Sequence, residues 1–174
     1  MKRIVVYHGE GEGKTSAALG HVVRYLGHES GSALIVFFMK GRESGEYQFL
    51  EKLRHAGYPV KTVLCGPPEF LVGDENREEH QRGVIFGINQ IREHLAHHRK
   101  ALVVMDEVLY AVNYNLIERE GLMEILRQEG EYIFVLTGRN PPHDIVEIAD
   151  IVTHFQLEKH HYYRNGITDP EVDL

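Results

Sequence analysis

The sequence predicts a single α/β domain over residues 1–174, with a mostly parallel sheet and helices on both of its faces. Two observations carry this. Short β-branched apolar runs alternate with stretches that repeat apolar residues at helical spacing. The runs are apolar throughout rather than at every second position, which is the pattern of strands buried on both faces of a parallel sheet.

Ile4-Val5-Val6-Tyr7 is the first strand, and a glycine-rich turn follows it. Ser16 to Leu26 repeats Ala18, Leu19, Val22, Val23 and Leu26 at helical spacing. Ser32 to Met39 reads as a buried strand, and Glu46 to Ala56 as a helix with Tyr47, Phe49, Leu50 and Leu53. Pro59 to Leu64 is a shorter strand. Arg77 to His98 is a long amphipathic helix carrying Val84, Ile85, Ile88, Ile91 and Leu95. Ala101 to Met105 and Tyr132 to Leu136 are strong strands on either side of a helix from Glu118 to Gln128. Pro141-Pro142 opens a short helix over Asp144 to Ala149. Ile151 to Phe155 closes the series of buried strands. Cys65 to Asn76 and the tail from Glu158 show the least pattern.

Composition narrows the function. The chain is 43% hydrophobic and 26% charged, ordinary values for a globular domain. A net charge of −7 without a basic stripe argues against a protein that coats nucleic acid. The lone Cys65 excludes an internal disulfide and a cysteine-cluster metal site, and it is expected to be a core or loop thiol. No leader-like segment precedes the first strand and no 18-residue apolar stretch occurs, so a cytoplasmic protein away from membranes is expected. Among twelve histidines, His94 and His98 stand one helical turn apart, and solvated surface is the expectation for them rather than a metal site.

The glycine-rich turn is His8-Gly9-Glu10-Gly11-Glu12-Gly13-Lys14-Thr15, between a strand and a helix. This is the arrangement of a phosphate-binding loop, although His8 stands where the strict pattern has glycine. Glycines let backbone N–H groups approach phosphate oxygens, and the helix N-terminus adds partial positive charge. Lys14 supplies a full charge, and Thr15 a hydroxyl for Mg²⁺. Leu102-Val103-Val104-Met105-Asp106-Glu107 then puts two acids where a buried strand ends, which is where ligands sit in open α/β sheets. Thr137-Gly138-Arg139 and Lys40-Gly41 end two further strands, so Lys14, Lys40 and Arg139 place three cations at strand ends of an acidic chain. No nucleophile–base pair is evident.

Taken together, these motifs resemble the corrinoid adenosyltransferases of the ATP:cob(I)alamin class, which have a RecA-like P-loop NTPase fold. The resemblance runs through Tyr7 to Thr15, Phe38-Met39-Lys40-Gly41, Asn76-Arg77-Glu78 and Val104-Met105-Asp106-Glu107-Val108. It continues through Thr137-Gly138-Arg139, Ala149 to Thr153 and Lys159-His160. It implies transfer of the 5′-deoxyadenosyl group of ATP to the Co(I) of a corrinoid, with release of triphosphate, in adenosylcobalamin synthesis or salvage. It also implies a homodimer and an electron-donor protein that reduces Co(II). Carried onto this chain, nucleotide binding falls to Gly9, Glu10, Gly11, Glu12, Gly13, Lys14, Thr15, Ser16, Lys40, Thr137, Gly138 and Arg139. Lys14, Glu107 and Arg139 act on the reaction, and Thr15, Asp106 and Glu107 surround Mg²⁺ or Mn²⁺. Phe70 and Val72 face the corrinoid. Members usually carry Phe-x-Trp there, whereas this chain reads Phe70-Leu71-Val72 and contains no tryptophan. Two other readings fit part of the pattern. One is a RecA-like NTP hydrolase with Glu107 polarising water, and the other a non-catalytic nucleotide- or corrinoid-binding relative.

Overall fold

The structure, a computed structural model, describes residues 1–69, 71, 73–160 and 166. Six strands form one parallel sheet in the order β3-β2-β4-β5-β1-β6. In chain order the elements are β1 (Arg3–His8), α1 (Lys14–Gly27), β2 (Ser32–Phe38), α2 (Gly45–His55), β3 (Val60–Cys65) and α3 (Arg77–His97). Then come β4 (Lys100–Asp106), α4 (Val108–Asn113), α5 (Arg119–Arg127), β5 (Glu131–Gly138), α6 (His143–Ile148) and β6 (Ile151–His154). Among the described residues no helix is long and apolar enough to cross a membrane.

The continuous apolar strands are buried on two faces, as their pattern requires. Val5, Ala33, Ile35, Phe37, Leu102 and Val104 face one layer, packed against Ala18, Val22 and Leu26 of α1 and Leu50 of α2. Alternate residues such as Val6, Leu34, Val36, Phe38, Val103 and Met105 face the other, with Val84, Ile88 and Ile91 of α3 and Leu122 of α5. Burying one such side chain is worth about 1.5–3 kcal/mol, so register is tightly fixed: a slip by one residue would exchange the two sets.

Three expectations need correction. β6 is not buried: it pairs with β1 at the sheet edge, and Ile151 and Val152 keep 49% and 40% of their surface. Its register comes from Asp150, whose carboxylate accepts from Ile4 N (2.8 Å) while its own N–H donates to Ile4 O (2.8 Å). His94 is buried rather than solvated, and its ring stacks on His98 at 4.2 Å. Burial first, then the positive charge of His98, Lys61 and His97, pulls its pKa down to about 4. Third, the sequence reading has no element between β4 and α5, where α4 stands, with Val108, Leu109, Ala111 and Val112 buried at helical spacing. Six residues continuing straight from an apolar strand are too short for periodicity to separate from it.

Candidate functional site

Parallel pairing brings the carboxyl ends of β1, β4 and β5 side by side, with His8 opposite Gly138 and Met105 opposite Leu136. The loop after β1, the acids at the end of β4 and the Thr-Gly-Arg end of β5 therefore meet at one end of the sheet. In the loop, Gly13 adopts φ 95°, and Ala17 donates the first α1 bond to its carbonyl (2.8 Å). The amides of Lys14, Thr15 and Ser16 precede that bond, and such first-turn N–H groups have no intrahelical acceptor.

Asp106 is the hub. It is fully buried, and its Oδ1 accepts from the hydroxyls of Thr15 (2.9 Å) and Thr137 (2.7 Å). Its Oδ2 accepts from Lys40 Nζ at 2.8 Å. Burial works against the Lys40 charge, but Asp106, with help from Glu107 and Glu46, outweighs this and holds the ammonium above its usual range. Asp106 therefore positions Thr15 and Lys40. Lys40 stands at the end of β2, as its place in the sequence led one to expect, and its ammonium is paired there with Asp106.

Glu107 is different. It sits at φ 61°, a left-handed conformation that costs a non-glycine residue about 1–2 kcal/mol. Its N–H donates to Thr137 Oγ1 at 2.8 Å, which fixes the turn into α4. Its Oε2 is buried without a hydrogen-bond partner among the described residues. Burial, then the neighbouring Asp106 charge, pushes the carboxyl up to about 7, opposed by Lys40, Lys14 and Arg139. A strained, desolvated carboxylate with an open oxygen suits a bound cation better than it suits the protein alone.

Lys14 Nζ donates to Gly11 O (2.8 Å), so the lysine folds back over its own loop. Arg139 contacts Glu10, lies 5.7 Å over the Tyr110 ring, and has its backbone carbonyl held by Asn113 Nδ2 at 2.8 Å. Gly138, at φ 140°, has no room for a side chain: a Cβ would stand 2.7 Å from Leu109 Cβ on α4. Gly9 and Gly11 correct the expectation of amides turned toward phosphate. Gly9 N donates to Gly138 O (3.2 Å), and Gly11 N to Phe155 O (2.9 Å). A Cβ on Gly9 would run into Phe155 O, and one on Gly11 would stand 2.8 Å from Gln156 O. These two glycines let the loop pack on the chain leaving β6.

The loop carboxylates are also occupied, Glu10 by Arg139 and Glu12 by His160 Nε2 at 3.3 Å. His8 stacks on His154 at 4.8 Å, and its pKa falls through burial, then the charges of His154 and Lys14. Ser16 is exposed in the first turn of α1. Phe70 and Val72 lie outside the described residues, while the intervening Leu71 packs against the core. Cys65 is buried and its thiol pushed up to about 12, an inert core residue. Tyr110 and Asn113, which orient Arg139, escaped the sequence reading, because α4 is too short for its spacing to reveal them.

Residues 1–171 match the sequence model of the ATP:corrinoid adenosyltransferase BtuR/CobO/CobP family. The chain belongs to this family of transferases. Among its relatives, a corrinoid adenosyltransferase of Sinorhizobium is 30% identical over 166 residues, covering 94% of this chain and 76% of the relative. That of Salmonella typhimurium is 29% identical over 158 residues, 90% of this chain and 78% of the relative. That of Escherichia coli K12 is 28% identical over the same shares. The α/β parallel sheet agrees with the RecA-like P-loop fold expected of family members.

Proposed function

We propose that this chain transfers the 5′-deoxyadenosyl group of ATP to the Co(I) of a corrinoid and releases triphosphate. The observation that carries the reading is the convergence of Lys14 and Thr15 with Asp106, Glu107 and Arg139 at the ends of three adjacent parallel strands, in a chain of this family. The cobalt electron pair attacks the ribose 5′ carbon, and the bond from that carbon to the phosphate oxygen breaks. The leaving polyanion takes the bonding pair, so no proton has to move and no general base is needed. The demand on the protein is electrostatic. Lys14 and the first amides of α1 lie where the triphosphate charge develops, and fixed donors of this kind lower barriers by about 3 kcal/mol each. Arg139 needs only a side-chain swing to join them, because its backbone is pinned by Asn113.

Glu107 Oε2 and Thr15 Oγ1 fit a divalent cation. Both are hard oxygen donors, and the carboxylate oxygen has no other partner among the described residues. Mg²⁺ bound there would neutralise phosphate charge. Asp106, whose oxygens accept three hydrogen bonds, holds Thr15 and Lys40 in place and is either an alternative ligand or a partner behind the ion's ligands. The homodimer, the electron-donor protein and a corrinoid-facing role for Phe70 and Val72 rest on the family resemblance.

The test is incubation with ATP, Mg²⁺ and chemically reduced cobalamin. The light-sensitive adenosylcobalamin spectrum should appear, with one triphosphate released per cobalamin. ADP and phosphate instead would assign Glu107 to water activation in a hydrolase. Binding of both ligands without turnover would make the chain a carrier.

A further inference from the structure

The loop that this reading assigns to a polyanion carries two carboxylates of its own, Glu10 and Glu12, on either side of Gly11. Each would repel a triphosphate bound at this loop. Each is also paired with a side chain from a distant part of the chain, Glu10 with the Arg139 guanidinium and Glu12 with the His160 ring. The Arg139 carbonyl is anchored on Asn113, while its guanidinium lies over Tyr110 and reaches Glu10. Both side chains of the Arg139–Glu10 pair are substantially exposed, 41% and 59%. Such a pair is weak, whereas guanidinium on phosphate oxygens is a strong, two-pronged contact.

We propose that Glu10 sets the polyphosphate affinity of this site by holding Arg139 while the site is empty. Arriving triphosphate displaces Glu10 from the arginine, and departing triphosphate is replaced by it. Glu10 is thus a positioning residue that acts through Arg139 and favours release of the polyphosphate product. The proposal rests on the nucleotide reading above.

Calorimetric titration of the full chain with tripolyphosphate and Mg²⁺, and with ATP and Mg²⁺, tests it in wild type, Glu10→Gln, Arg139→Gln, the double variant and Lys14→Ala. Glu10→Gln should bind both ligands about fivefold more tightly, the upper worth of an exposed ion pair. Its KM for ATP should fall and inhibition by added tripolyphosphate should strengthen, a split that a merely structural residue would not produce. In the Arg139→Gln background the gain should drop to less than half. An unchanged or weakened Glu10→Gln, or an equal gain in both backgrounds, overturns the tether. If wild type binds and Lys14→Ala does not, that failure leaves the nucleotide reading standing. If wild type binds neither ligand, or Lys14→Ala binds as well as wild type, the reading and the proposal fall together.

Discussion

Glu107→Gln should make the ligand-free protein more stable at alkaline pH and less able to use metal. The carboxyl ordinarily titrates near 4.5 but is held near 7 in the fold, chiefly by burial. The folded state therefore binds this proton more tightly than the unfolded chain does. Its stabilising effect is complete below about pH 4.5 and is lost as pH rises through 7. The whole loss is about 3 kcal/mol, of which about 2.5 kcal/mol falls between pH 5 and pH 8. Glutamine keeps the shape and cannot ionise, so the variant escapes that loss. Urea unfolding of both proteins at pH 5 and pH 8 gives four stabilities. The difference between variant and wild type should grow by about 2–3 kcal/mol in favour of the variant across that interval. Subtraction removes other titrating groups, notably His94, whose depressed pKa gives the opposite slope, stability lost as pH falls from 6.5 toward 4. At pH 8, Mg²⁺ with ATP should then stabilise wild type more than the variant. A difference that does not change with pH would show that Glu107 is neither desolvated nor strained in charge, and would remove the reason for assigning it to a cation.

Further outcomes concern the loop and, from the family resemblance, Val72. Lys14→Ala should lower kcat/KM at least about 100-fold, because the leaving triphosphate loses its nearest fixed cation, and near-normal turnover would take the loop out of the mechanism. Gly11→Ala should disrupt the loop, since its Cβ would stand 2.8 Å from Gln156 O. A lowered melting temperature together with weakened ATP binding is expected, and wild-type values for both would show that the segment after β6 yields freely. The family resemblance implies that without the Phe-x-Trp indole cobalamin, with its coordinated lower base, is a poorer substrate than cobinamide, which lacks that base, and Val72→Trp should narrow this gap, read as kcat/KM for each. Equal handling of the two corrinoids by both proteins would separate this position from the lower ligand.

Much of this protein is legible in its sequence, for a local reason. Hydrophobic period is set by the geometry of each element, so unbroken runs such as Leu102 to Met105 mark doubly buried strands, and the spacing of Val84, Ile88, Ile91 and Leu95 marks α3. The Gly-Lys-Thr tail of the loop and the acids at the end of β4 are equally local. Partnership is not. Asp106 meets Thr15 across 91 positions, Lys40 across 66 and Thr137 across 31, and only the strand order brings them together. The same order leaves β6 at an edge, so its apolar residues stay exposed despite reading as core. Burial raises the Glu107 carboxyl, and packing on Phe155 and Gln156 leaves Gly9 and Gly11 no room for a side chain. The sequence by itself thus determined the layers and the residue types gathered at the strand ends. Which carboxylate is saturated by partners and which is left open was decided by tertiary structure, because desolvation and hydrogen-bond partners depend on neighbours far away along the chain.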